Sequence, residues 1–305
     1  MPNLAKKVRS PFRRVLFASN FSTGFEGALQ AAVHFCQMNK ASLRILHVCK
    51  LDAALGTDAG LFSDAGAREK SALRLLRQMK DRAAALGVSC TTRLETGVAS
   101  EKILAEIESA QIDLAILGTS EPRGSKRLAF GPTAEKVMRK ATCPIMTVGL
   151  VAAELMTPDA ARGPVIFATD FHSVTRQAIH LAVTYCKSTD LRLHCLHVLP
   201  RTLQPAPGDQ TLPELLTCAL KHLVATSPVH IDESVYHVSF GSEISNAVVD
   251  YARQQAASLI ILGVRRASIL SADDPLPIVY RIITEAPCPV MTILFDADPD
   301  PECQI

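Results

Sequence analysis

The sequence has no excess of charge of either sign: 32 Lys and Arg stand against 30 Asp and Glu, mixed along the chain. The basic footprint of a nucleic-acid binder is therefore absent. The short run Lys6, Lys7, Arg9, Arg13, Arg14 reads as a solvated lead-in to a first strand. No apolar run reaches the roughly 18 residues that a membrane span needs. No apolar core follows the positive N-terminal residues, so a signal peptide is not expected. No CxxC pair occurs, and the nine cysteines are scattered singly, several of them in apolar contexts, such as Cys36, Cys186 and Cys195. That distribution fits buried thiols in a reducing cytoplasm better than a disulfide framework. A Gly-x-Ser-x-Gly turn is also missing. Cys143 and Cys288 each precede a proline at a strand start and read as packing residues, so covalent catalysis has no candidate. His194, Cys195 and His197 look like metal ligands at first sight. On a strand, however, Cys195 and His197 share one face while His194 points away, and no carboxylate stands near, so no metal is expected.

What the chain does have is apolar content and an internal repeat. Hydrophobic residues make up 48% and charged residues 20% of 305 residues, enough for well-packed cores in two domains. The stretch VLFASNFSTGFEGALQAAVHFCQMNKASLRILHVCK from Val15 aligns without a gap on VIFATDFHSVTRQAIHLAVTYCKSTDLRLHCLHVLP from Val165. Twelve positions coincide, among them Cys36 with Cys186 and His47-Val48 with His197-Val198. The shared histidine points to a structural role within the repeat. The segments starting at Asp113 and Ser258 align in the same way at an offset of 145, against 150 for the first pair. The repeats are thus distant copies whose middles differ in length.

Each copy alternates strand and helix patterns. In the first, strands are expected at Val15–Ser19, Leu43–Val48, Ser89–Leu94, Leu114–Leu117 and Pro144–Val148. Helices are expected at Phe25–Met38, Arg68–Leu86, Glu101–Ala110 and over Thr133–Lys140. The second copy repeats the order, with strands at Val165–Thr169, Leu191–Val198, Ser234–Ser239, Leu259–Leu262 and Pro289–Leu294. Turn-rich insertions, Leu51–Gly66 and Pro200–Pro213, follow the second strand of each copy. The fold class is therefore α/β: two tandem, doubly wound domains, each with a five-stranded parallel sheet. Domain 1 covers residues 1–150, a linker 151–163, and domain 2 residues 164–305.

In an open parallel sheet a ligand binds beyond the carboxyl ends of the strands, where the strand order reverses. The loops after strands 1, 2 and 4 are the relevant ones. After strand 4 come Gly118 and, further on, Gly131-Pro132-Thr133 opening a helix. Glycine lets a phosphate approach the backbone, and a helix start offers free N–H groups. Thr133 either adds a hydroxyl or caps that helix. Strand 1 ends in Asn20, and its counterpart in the second copy is Asp170, which either accepts bonds from a ribose or adenine or caps the next helix.

These residues carry a resemblance to the universal stress protein family. That family has a Gly-x2-Gly-x9-Gly-Ser/Thr phosphate loop after strand 4, an acid at the end of strand 1 and a Pro-hydrophobic pair opening strand 5. The resemblance spans Val15 to Val148 and Val165 to Leu294. It implies a non-enzymatic, cytoplasmic stress-response protein with an adenine-nucleotide (ATP) site lined by Ala18, Ser19, Asn20, Val48, Leu117, Gly118, Gly131, Pro132 and Thr133. A degenerate second site would hold Asp170 and Gly263. It also implies an intrachain pseudo-dimer through Ile145–Val148 and Val290–Ile293, and it leaves open a homodimer and an unidentified protein partner. Neither nucleic acid nor membrane is an expected partner.

The phosphate loop departs from the family pattern in both copies. Glu121 replaces the second glycine of the first loop, Pro132 stands in the Ser/Thr place, and the strand-1 acid is Asn20. In the second loop Arg266 replaces the second glycine, and Leu276, Pro277 and Ile278 replace the third and its neighbours. A carboxylate at about 4 Å from a phosphate costs on the order of 4 kcal/mol at an effective dielectric near 20, about a thousandfold in affinity. Arg123, Lys126 and Arg127 read as a solvated loop face or as a partial offset. At most weak binding in the first copy is expected. The alternative is a protein-interaction scaffold of the same fold that has lost the nucleotide.

Overall fold

Consecutive strand residues such as Val15, Leu16 and Phe17, or Ile260 and Ile261, are all buried, so both faces of each sheet are covered, as unbroken apolar runs require. The structure is a computed structural model that describes residues 8–21, 24–49, 60–119, 131–155, 162–172, 175–265 and 278–295. The chain divides into two units, Phe12–Ile145 and Met146–Ile305, the latter grouped with Met1–Pro11.

In the first unit β1 (Arg14–Ser19), β2 (Ser42–Cys49), β3 (Cys90–Thr96) and β4 (Leu114–Gly118) lie in the order β3-β2-β1-β4 and run parallel. The helices between and after them are α1 (Phe25–Asn39), α2 (Gly60–Ala85), α3 (Ala99–Ser109) and α4 (Pro132–Lys140). After α4 the chain returns beside β4: the Ala115 N–H donates to the Pro144 carbonyl at 3.1 Å, just before β5 (Ile145–Val148). Helix α5 (Leu150–Leu155) follows.

The second unit repeats the plan with β6 (Val165–Ala168), α6 (Thr175–Thr189), β7 (Leu193–Pro200), α7 (Thr211–Ala225), β8 (Ser234–Gly241), α8 (Ile244–Gln254), β9 (Leu259–Arg265), α9 (Ile278–Glu285) and β10 (Val290–Phe295). Its five parallel strands follow the order β10-β9-β6-β7-β8. The Ile260 N–H donates to the Pro289 carbonyl at 3.0 Å, matching the Ala115 bond of the first unit. In each order the chain reverses direction beside the first strand, between β1 and β4 and between β6 and β9.

Three segments differ from expectation. The first insertion is helical from Gly60, so α2 is longer than the apolar stripe alone indicates. In the second insertion α7 begins at Thr211, with Pro213 in its first turn, where a missing N–H loses no intrahelical bond. The segment read as a linker opens with α5, whose Leu, Ala and Glu residues favour helix and whose Ala152 is buried. None of the described helices is long and apolar enough to cross a membrane.

Candidate functional site

The carboxyl ends of β1 and β4 are neighbours, with Ala18 in register with Leu117. Beyond them lie Asn20, which is exposed, and Thr119, which is buried. On the other side of β1, Ser19 is in register with His47 of β2, one residue before Val48. Ala18, Ser19, Asn20, Val48, Leu117 and Gly118 are therefore brought to one end of three adjacent strands. The strands do this by ending in step.

A device not foreseen from spacing shapes the turn after β1. The Ser19 carbonyl can only accept, so His47 donates its Nδ1–H to it at 2.8 Å, which sets the tautomer. The Phe21 N–H donates to Ser19 Oγ at 3.3 Å, and Phe21 takes the left-handed conformation at φ 53°. Its ring then stacks on His47, with centroids 4.1 Å apart and planes at 25°. Burial holds the His47 imidazole below its ordinary pKa, with the bond to Ser19 pulling the other way. The second domain repeats the device: His197 Nδ1 donates to the Thr169 carbonyl at 2.7 Å, and the Phe171 N–H to Thr169 Oγ1 at 3.0 Å. Phe171 has φ 61°. A non-glycine residue with positive φ costs on the order of 1 kcal/mol, and the side-chain bond and ring contact offset it. The histidine pair thus has the structural role that its repetition suggested. The signal for its partner was Phe21 and Phe171, which also coincide in the alignment.

The helix start of the candidate phosphate loop is built from Gly131 as N-cap, with φ 75° and ψ 141°, a conformation that side chains other than hydrogen disfavour. Pro132 takes the first helical position, and no side chain caps α4. Thr133, one place further in, is therefore not the cap of α4. Gly118 is a different case. A Cβ there would meet only Ala28 Cβ at 3.5 Å, an ordinary contact. Among the described residues, neither crowding nor backbone conformation demands a glycine at the end of β4. Glu121, Arg123, Lys126 and Arg127 lie outside the described residues.

The second domain departs at this point. Strand β9 runs on through Gly263 to Arg265, with Gly263 opposite Ile293 and Arg265 opposite Phe295 of β10. Thr119, which follows β4 outside any strand, corresponds to Val264, which is paired with Leu294 of β10. Asp170 is exposed, and its Oδ1 accepts the His172 N–H at 3.2 Å, a local turn rather than a cap on α6. Arg266, Leu276 and Pro277 lie outside the described residues, and Ile278 opens α9 half-exposed.

The other chemical candidates resolve into packing. Burial pushes the Cys143 and Cys288 thiols up to about 12, so neither supplies a thiolate near neutral pH. Of the triplet at first sight metal-like, Cys195 is fully buried, His197 serves Thr169, and His194 meets the Tyr251 hydroxyl at 3.2 Å.

Comparison with known proteins agrees with this architecture. The model of the universal stress protein family matches residues 11–149 and again 162–293. Among curated relatives, universal stress protein YxiE of Bacillus subtilis is 31% identical over 147 residues, 45% of this chain and 99% of its own. Universal stress protein MJ0531 of Methanocaldococcus jannaschii is 28% identical over 153 residues, 48% of this chain and 83% of its own. Among solved structures, a universal stress protein from Archaeoglobus fulgidus superposes over 92% of this chain and 97% of its own. Its TM-score is 0.68 at 18% identity, a likeness of fold.

Proposed function

Since matches to one family model cover both domains, the chain belongs to the universal stress protein family, and we propose that it is a non-enzymatic stress-response protein holding ATP weakly in its first domain. The observation that carries this reading is Gly118. It stands at the reversal between β1 and β4, where among the described residues neither packing nor backbone angle calls for glycine, which suits close approach of a ligand. Gly131 and Thr133 add a helix start suited to phosphate, and Asn20 with Ala18 and Val48 flanks the place for ribose and base.

The same reasoning makes the second site degenerate. Asp170 offers a carboxylate, but a single charged hydrogen bond is worth roughly 1.5–3 kcal/mol, and the backbone around Gly263 is engaged with β10. Glu121 is the residue that weakens the first site, and Glu121→Gly is expected to tighten ATP binding by one to three orders of magnitude. Arg266→Gly is expected to change little. Calorimetric titration of the wild type and both variants decides between this reading and the scaffold without nucleotide. A tight wild-type second site, or no gain from Glu121→Gly, rejects the assignment. Mass spectrometry of material released from denatured protein identifies any nucleotide carried through purification.

A further inference from the structure

Three equivalent positions carry different chemistry in the two domains. In the first, Glu106 of α3 is 3% exposed, and its carboxylate accepts from Arg44 of β2 at 2.5 Å and from Arg93 of β3 at 2.7 Å. The repeat offsets match Arg44 with His194 and Glu106 with Tyr251. The strand register matches Arg93, opposite Leu46, with His237, opposite Leu196. An ionic trio in one domain is thus two imidazoles and a phenol in the other.

His194 is 3% exposed. Its Nδ1 meets the Tyr251 hydroxyl at 3.2 Å, and its Nε2 is buried with no hydrogen-bond partner. His237 stacks on Tyr251, with centroids 4.7 Å apart and planes at 12°. The elements around His194 offer a cation no compensation. Arg192 precedes it on the same chain segment, and β6 carries no ionisable side chain. Asp250 and Arg253 of α8 are exposed and pair with each other at 3.0 Å. The neutral ring carries one donor and one acceptor nitrogen, of which Nδ1 alone is partnered. The protonated ring would hold two N–H donors in a dry pocket with one acceptor.

We propose that the His194–His237–Tyr251 cluster is an acid-sensing element that loosens α8 from β7 and β8 while the Arg44–Glu106–Arg93 contact of the first domain stays closed. Burial first, then Arg192 and His237, holds His194 below the ordinary imidazole range, and burial lowers His237 as well. The unfolded or opened domain therefore takes up protons that the closed domain refuses. The stability so linked is complete above the ordinary imidazole pKa of about 6.5 and is lost as pH falls below it, by about tenfold in the opening equilibrium per pH unit for each proton. In the first domain His47 is also lowered by burial, but its bond to the Ser19 carbonyl opposes the shift.

Hydrogen exchange of the full chain between pH 7.5 and 5.5, corrected for the intrinsic rate, tests this directly. Peptides over α8 and β7–β8 are expected to lose protection progressively below about pH 6.5, well beyond the loss over α3 and β2. His194→Gln, which keeps a hydrogen-bonding group but cannot titrate, is expected to flatten the dependence. In the wild type, which needs no variant to fold, NMR is expected to show His194 titrating below the ordinary imidazole pKa of about 6.5. Equal protection losses in both domains, an unchanged slope in His194→Gln, or a His194 titration at or above the ordinary imidazole pKa of about 6.5 overturns the proposal.

Discussion

At the scale of single residues, two constraints have no counterpart in the motifs. The carboxylate of Glu106 is buried, whereas its partners Arg44 and Arg93 keep 38% and 49% of their side chains exposed. Removing the acid leaves two guanidinium groups that can turn to water. Removing both bases leaves a buried anion alone. Arg44→Ala with Arg93→Ala is therefore expected to cost about 3 kcal/mol, and Glu106→Ala distinctly less. Urea titrations of the three proteins measure the difference, and equal costs would contradict the burial argument. Gly163 is the second constraint: a Cβ there would lie 1.9 Å from the Ala256 carbonyl oxygen and 3.0 Å from its carbon. Backbone cannot yield as a side-chain tip does, so Gly163→Ala is expected to destabilise the second domain by about 2 kcal/mol or more. Unchanged melting of that variant would show that the approach is looser. Neither constraint was legible beforehand. Arg44 and Glu106 lie 62 residues apart, and Gly163 stood in a segment read as a linker.

At the scale of elements, apolar runs forecast the strands well because parallel strands covered on both faces need no alternation. Helix ends were less legible. The α2 start at Gly60 and the α5 helix arise in segments where glycine, proline and alanine content suggested loops. The pairing of β5 with β10 remains our proposal for how the domains associate. The apolar sequences Ile145-Met146-Thr147-Val148 and Val290-Met291-Thr292-Ile293 match, and an apolar strand edge left open invites aggregation. Ile145 is fully buried. Ile145→Asp is expected to separate the halves or to make the protein insoluble, read out by solubility and by scattering of the soluble fraction. An unchanged melting temperature and an unchanged size would place the association elsewhere.

At the scale of the whole molecule, duplication has left one plan with two sets of details. The turns after β1 and β6 keep the same histidine, phenylalanine and hydroxyl device, while the ends of β4 and β9 and the Glu106 and Tyr251 positions have diverged. The sequence by itself determined the two-domain α/β plan, because buried apolar runs at repeated spacing leave few other ways to cover a parallel sheet. It also pointed to the loops after strands 1, 2 and 4, because ligands of open parallel sheets bind beyond the carboxyl ends of the strands. Only the tertiary structure decided that Gly118 is not crowded by the described residues, that β9 continues past Gly263, and that His194 sits against Tyr251 where Arg44 sits against Glu106. Those facts depend on which side chains meet across elements far apart in the chain, and a one-dimensional pattern of apolar and polar residues carries no record of such meetings.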